Sequence, residues 1–560
     1  MKFEDVLLEA GGFGRFQILI LVLLSLPRII LPLHFLLHNF IAAVPSHHCA
    51  ILDQDMPVNI TKEDLLLLYI PKEPDGSFSS CKMFSKPQDH LLVNYSSQIL
   101  LNSSSTQSCV QGWVYLHSRF TITAQWDLVC EKKGLNQASL TIFFIGVTAG
   151  AVAFGYLSDK FGRRLMLLVA FVFSLILGMV SAASVSYLMF SVSRSLLGVA
   201  LCGLGIITVT LSVEWVDMRH RTLAGVLSSL FWSVGNILLS LVAYLIEDWR
   251  WLLVAVTSPC ALGILSIWWL PESPRWLLVK GKVKTAHKYL LQCARTNQQP
   301  DFASRISIET LSKIADAENT HTSYSYVDLF RTSVLRKTSL CAAVMWFGVA
   351  FSYYGISLNI TGFGLDMYMT HFVYGAIEIP AKLGIYFVMN SVGRRHTQAW
   401  TLLLTALSIG VNTVIPKSVG SVRSVIAVLG KGFSEAAFTT AILYTTEFYP
   451  TVLRQNGIGY CAFVGRVAAS LAPLTILLDD VWVLLPEVVY CSVALVSGLM
   501  AFLLPETLNT RLPETINDVE QKLGCRTNLT HPEKQPCEDI SEDIPLKALE
   551  NSVTDQTVQV

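Results

Sequence analysis

The chain is 560 residues long, 52% hydrophobic and only 15% charged, with 41 basic and 41 acidic side chains in balance. A mean hydropathy of +0.50 is too apolar for a soluble domain of this size, and the absence of net charge or a basic run leaves no footprint for a nucleic acid. What remains is a chain built to cross a membrane many times.

Apolar runs of about 20 residues, the length a helix needs to span the hydrocarbon core, begin at residues 16–40. This first run is long and lacks a small-residue cleavage pattern behind it, so it reads as a retained helix rather than a signal peptide. A polar stretch, roughly 41–135, follows with sequons at Asn59, Asn94 and Asn102 and four cysteines, Cys49, Cys81, Cys109 and Cys130. Clustered sequons with an even cysteine count predict a glycosylated extracellular loop closed by two disulfides, whose three connectivities stay open. Five further runs at 136–157, 165–184, 188–210, 223–246 and 250–270 complete a first half. A Lys/Arg-rich linker with helical patterning, 271–337, leads to six more at 338–358, 370–391, 398–416, 422–444, 456–478 and 483–504.

Twelve spans put both termini on one side. Arg163, Arg164, Arg219, Arg221 and the basic linker then share the cytosolic face, as the positive-inside rule requires. The tail, 505–560, turns polar and Glu-rich from about 524 and reads as disordered. Its last residues, Val558-Gln559-Val560, could add as a strand to a scaffold domain that captures C-termini.

Three charged motifs occur twice in the same order. Glu214…Arg221 recurs as Glu447…Arg454, 233 residues on; Gly162-Arg163-Arg164 recurs as Gly393-Arg394-Arg395, 231 on; Pro271-Glu272-Ser273 recurs as Pro505-Glu506-Thr507, 234 on. Such a duplication in a membrane chain points to two six-helix halves that rock about a central site. The duplicated charges, together with Asp159, are the expected gates: Gly155 would allow close helix approach, and Asp159 would pair with an arginine of the other half, locking one conformation.

The run Gly155-Tyr-Leu-Ser-Asp159-Lys-Phe-Gly-Arg163-Arg164 resembles the signature of the major facilitator superfamily, and Pro271 to Leu277 resembles the version found in its sugar-porter and organic-ion branches. Phe13 to Gln17, Gln125 to Cys130 and Glu447 to Arg454 favour the organic-ion branch. Ser352 to Gly355, Gly375 to Lys382 and Gly465-Arg466 look like its organic anion transporters. The resemblance covers about 1–520 and implies an all-α fold of twelve transmembrane helices in two pseudo-symmetric halves, with no cofactor or metal. It also implies a basolateral plasma-membrane carrier of small organic anions (nucleobase- or nucleotide-like, prostaglandin-like, dicarboxylate or drug-like acids), working by exchange against a counter-anion or by facilitated diffusion. One departure stands out: Asn39-Phe40-Ile41 lacks the hydroxyl of the sequon that relatives carry there.

A charge inside a spanning helix costs several kcal/mol unless it has a partner or a task. The candidates well inside the predicted spans are Arg28, Arg194, Glu378, Lys382, Lys431, Glu435 and Arg466. Glu378 with Lys382, and Lys431 with Glu435, are spaced i,i+4 and can neutralise each other locally. Arg466 has no acidic neighbour on its own helix, so it is the leading candidate for an anion-binding cation; the bland alternative is a bridge to Glu435. The resemblance supports Arg466, adds Lys382 as a second cationic site residue, and matches Tyr353, Tyr354 and Phe438 to family binding positions. Trp346 lies near them, and His34 could be a polar cavity group; His34 and His38 are spaced to share a metal but lack further ligands. Subtracting the repeat offset from Lys382 lands on Ala149 to Ala151, and from Arg466 on Ser233, so cavity charge is expected only in the C-terminal half.

Two other functions fit parts of this pattern. An organic cation or zwitterion carrier would use Glu378 and Glu435, while a receptor or scaffold would use the loop and tail without needing duplicated gates. No nucleophile–base set supports an enzyme, and no Walker-type loop supports ATP drive.

Overall fold

The structure, a computed structural model, describes residues 3–51, 62–73, 76–86, 105–116, 120–217, 220–319, 325–358, 366–416, 419–450, 452–508 and 516. The three loop sequons and, apart from residue 516, the tail beyond residue 508 lie outside the described residues.

The first half comprises α1 (Arg15–Phe35), α2 (Lys133–Phe161), α3 (Arg163–Ala182), α4 (Tyr187–Trp215), α5 (Arg221–Leu245) and α6 (Trp249–Ser266). The second comprises α7 (Ser333–Leu358), α8 (Met367–Val392), α9 (Arg394–Val414), α10 (Gly420–Phe448), α11 (Arg454–Thr475) and α12 (Leu485–Ala501). Ten of the spans are long and apolar enough to cross a bilayer by that criterion alone; α12 is a shorter apolar helix of 17 residues. α9 is the other weak span, because Arg394, Arg395, His396, Gln398 and four threonines dilute its hydropathy.

Within the first half, α2 lies directly on α4. A Cβ on Gly146 would stand 2.0 Å from the Ser195 carbonyl oxygen, and one on Gly150 would stand 2.5 Å from that of Val199. Small residues allow this backbone approach where no hydrophobic effect drives helices together. Gly155 does not share that role: nothing lies within 4 Å of its notional Cβ. The halves meet chiefly where α2 packs on α11 and α5 on α8.

The loop between α1 and α2 is anchored by Cys49–Cys109 and Cys81–Cys130. Two short antiparallel pairings, His47–Cys49 with Trp113–Tyr115 and Lys82–Phe84 with Thr106–Ser108, hold those cysteines in register. At the opposite face the linker helices, including Val283–Thr296 and Ile308–Asn319, pack on the first half. Asn297 fixes this docking: its amide donates to Gln17 Oε1 (2.9 Å) and its oxygen accepts from the Phe16 N–H (3.0 Å).

The α2–α4 seam makes a direct prediction. Gly146→Ala should lower the thermal midpoint of detergent-purified protein by several degrees, since overpacking costs about 1–3 kcal/mol. Gly155→Ala should not lower it; equal losses from both would contradict the seam.

Candidate functional site

The duplicated motifs assemble into one charge cluster per half, at the end of the bundle that carries the linker. Gly162 and Gly393 take φ of +107° and +97°, which only glycine adopts without strain, and turn the chain from α2 into α3 and from α8 into α9. The Glu272 carboxylate then accepts the N–H of Arg163 (2.9 Å) and Arg164 (3.1 Å), and Glu506 accepts those of Arg394 (2.9 Å) and Arg395 (3.1 Å). Each glutamate thus caps a helix whose first N–H groups have no partner within the helix. Burial pulls the Glu506 carboxyl upward, but N–H donation from Leu508, Arg394, Thr507 and Arg395 outweighs it and holds the group below its usual range.

The arginine side chains complete these clusters within their own halves. Arg163 pairs with Glu214 at 3.3 Å and Arg394 with Glu447 at 3.1 Å. Arg164 donates to the Ile267 carbonyl at 3.2 Å, and Arg454 lies in the field of Glu447. The expectation that Asp159 bonds an arginine of the other half does not hold here. It pairs with Arg163, one turn along the same half, at 2.8 Å. Arg221 meets Glu4, in the short helix Phe3–Glu9 that precedes α1, at 3.7 Å.

Ion pairing between the halves is found instead at the loop face. Lys133 at the start of α2 meets Asp479 (2.6 Å) and Asp480 (3.2 Å) just beyond α11. Asn39 donates to the Ser357 carbonyl at 2.8 Å, and Phe40 stacks on Tyr368 with centroids 5.4 Å apart. The asparagine that lost its sequon thus serves as a contact between halves.

At mid-depth, four charges from α8 and α10 form a network that crosses the expected pairs. Lys431 reaches Glu378 at 3.0 Å, and Lys382 reaches Glu435 at 3.1 Å while keeping Glu378 at 3.4 Å. Lys431 and Glu435, spaced to neutralise each other, instead serve partners on α8. Glu378 is fully buried and also accepts from Ser233 Oγ (2.8 Å), Asn236 Nδ2 (3.2 Å) and Tyr353 Oη (3.0 Å). Lys382 donates to Ser233 Oγ (2.6 Å) and the Ser229 carbonyl (3.0 Å) of α5. The network therefore ties the halves together as well as neutralising itself. Ser233, the position the repeat matches to Arg466, is one of its links.

Arg466 stands outside this network. No carboxylate among the described residues lies within ion-pairing distance, so the alternative bridge to Glu435 is not made. Its guanidinium reaches the Cys202 thiol of α4, in the opposite half, and lies in the field of Tyr354. Aromatic rings connect this point to the network: Tyr353 lies 5.2 Å from Tyr354 and 5.3 Å from Phe438, and Phe438 lies 5.8 Å from Trp346. Lys431 stands 3.5 Å over the Tyr353 ring, and Trp346 donates to Thr445 at 2.8 Å.

His34, expected as a polar cavity group, is packed against Arg194 in this structure. It is fully buried, its carbonyl accepts from Arg194 at 3.1 Å, and its Nδ1 lies 3.4 Å from the same guanidinium. His38 is likewise committed, to Asn136 at 3.0 Å. In the loop, His47, Cys81 and Cys130 lie close enough to hold a metal, but the disulfide has consumed both thiols. An apolar groove of about 430 Å³ between α7, α11 and α12, lined in part by Val344, Phe347, Val464 and Val493, has no charged residue in its wall.

Sequence reasoning left Trp232, Ser233 and Asn236 of α5 out of the site. None carries charge, so only their place opposite Glu378 reveals them.

Two six-helix halves, paired charge clusters and a polar centre at mid-depth define a transporter of the major facilitator type, not an enzyme. The family described as "Sugar (and other) transporter" matches residues 95–518. The proton:xylose symporter XylE bound to 6-bromo-6-deoxy-D-glucose shares the fold, with a TM-score of 0.58 at 15% identity over 90% of this chain and 99% of that one. Solute carrier family 22 member 7 of Sus scrofa is 55% identical over 93% of this chain and 97% of its own length. The Homo sapiens protein of that name is 53% identical over 98% and 100%. Solute carrier family 22 member 6-B of Xenopus laevis is 38% identical over 98% and 99%. The chain belongs to solute carrier family 22.

The crossed network predicts strong coupling. Glu378→Ala should cost about 3–5 kcal/mol of stability, because it strands the buried Lys431. Adding Lys431→Ala should recover a substantial part, measured as thermal midpoint and folded yield. A double variant no better than the single one would show that the pair is not the unit.

Proposed function

We propose that the chain carries organic anions across the plasma membrane by alternating access, with Arg466 as the anchor for the substrate's anionic group. The observation that carries this reading is a charge balance. Lys382 and Lys431 are cancelled by Glu435 and Glu378, whereas Arg466 has no carboxylate partner among the described residues. A planar guanidinium offers a carboxylate or phosphate two parallel charge-assisted hydrogen bonds. Tyr353, Tyr354, Phe438 and Trp346 then supply stacking faces for an aromatic body. Lys382 acts less as a direct ligand than as the cation that holds α8 against α5 and α10.

Disulfides persist in oxidising surroundings, which supports an extracellular loop and cytosolic termini. In that orientation the contacts of Lys133, Asn39 and Phe40 close the outer face. The charge clusters at the cytosolic end stay within each half and leave the halves free to separate there. Substrate binding would be followed by rocking that breaks the outer contacts. Exchange against a counter-anion and facilitated diffusion both fit this cycle.

The cargo falls within the range suggested by the organic anion transporter 2 resemblance of Leu31 to Leu37 and Trp249 to Leu253: nucleobase- or nucleotide-like, prostaglandin-like, dicarboxylate or drug-like acids. A basolateral address, glycosylation at Asn59, Asn94 and Asn102, and capture of Val558-Gln559-Val560 by a scaffold domain complete the proposal.

Arg466→Ala should abolish saturable uptake of a labelled organic anion at unchanged surface expression, and Arg466→Lys should retain part of it. Survival of anion uptake in Arg466→Ala, with loss of cation uptake in Glu435→Ala, would establish a cation carrier instead. Reconstituted vesicles with no saturable flux would favour a receptor or scaffold.

A further inference from the structure

Arg466 has a counterpart in the first half that the duplication does not predict. Arg28 lies in the middle of α1, is only partly buried, and has no carboxylate partner among the described residues. Its Nε lies 3.4 Å from the Ser228 carbonyl of α5, and its guanidinium stands 6.0 Å from the centre of the Trp232 ring. Trp232 faces the second half, because its indole N–H donates to the Tyr353 hydroxyl at 3.3 Å. Tyr353 in turn packs on Tyr354, in whose field Arg466 lies. Two uncompensated arginines, one per half, therefore flank a path of three aromatic rings. Arg194, the other arginine of the first half at this depth, is already occupied by His34 and by the Phe143 ring at 4.6 Å.

We infer that Arg28 and Arg466 form a divided dicationic clamp, which selects organic dianions whose two anionic groups are separated by a flat aromatic body. The inference rests on the anion-carrier reading and deepens it by naming the substrate class. A short dianion bonded to Arg466 could not reach Arg28 across Trp232, Tyr353 and Tyr354. A long, flat dianion could engage both arginines while stacking on the rings between them. A monoanion would bind through Arg466 alone.

The test compares biphenyl-4,4′-dicarboxylate with its monomethyl ester as labelled probes, in cells with surface expression measured in parallel. Arg28→Gln should raise the KM for the dianion at least tenfold more than that for the monoester. Arg28→Lys, which keeps the charge but loses the fork, should fall between wild type and Arg28→Gln, and it serves alone if the glutamine variant does not reach the surface. Equal shifts for both probes, or none, would overturn the clamp while leaving the anion carrier intact. Failure of the wild-type protein to take up either probe saturably would overturn the carrier reading and the clamp together.

Discussion

Everything at the centre of this molecule follows from the cost of placing charge at mid-membrane depth. On insertion scales an arginine, lysine or aspartate there costs about 2.5–3.5 kcal/mol, so a chain that keeps seven such groups must give each a partner or a use. Four of the seven solve the problem together. Glu378 and Glu435 divide Lys382 and Lys431 between them, and α5 contributes hydroxyl, amide and carbonyl groups that complete the coordination. Arg194 is satisfied by the His34 carbonyl and an aromatic face. Arg28 and Arg466 are the residue of that accounting. The proposed site is what neutralisation leaves over.

The same network decides how the halves are joined. Because Ser233 and Asn236 belong to α5 while Glu378 and Lys382 belong to α8, the polar centre is an interface between two bodies. Away from it, each body is stiffened by its own copy of the duplicated cluster, in which a glutamate caps a helix and an arginine reaches a second glutamate. Stiff halves with a polar, reversible contact between them suit rocking better than an apolar interface would. Hydrogen bonds and ion pairs can be exchanged for water or substrate as the halves part, whereas desolvated packing cannot.

Much of this architecture was legible in the chain, because spans and repeats are one-dimensional signals. Hydropathy located the helices, although α9 is diluted by its polar face and α12 is short. The fixed offset of the charged motifs revealed the duplication before any helix was placed. Partner choice was not legible. Lys431 has carboxylates within reach on both its own helix and α8, and sequence spacing reports only the first. Asp159 was assigned by motif to an arginine of the other half, yet Arg163 lay four residues on. His34 looked like a free polar group because Arg194, 160 residues away, is invisible from its position. Trp232, Ser233 and Asn236 carried no charge to attract notice, and Arg28 lacked the family match that drew attention to Arg466.

Arg28 and Arg466, which have no carboxylate partner among the described residues, are divided between the halves, and on the proposed reading this bears directly on transport. A ligand shifts a conformational equilibrium only by the difference in its affinity for the two states. A substrate held by one half alone keeps most of its contacts however the other half moves, and so biases the motion weakly. A substrate that bridges Arg28 and Arg466 loses contacts whenever the halves splay and gains them when they close around it. Binding energy is then coupled to the rocking step itself. The duplicated clusters stiffen the two bodies alike; it is the departure from the repeat, a cation at Arg466 opposite Ser233 and another at Arg28, that would make the cargo rather than the scaffold set their position.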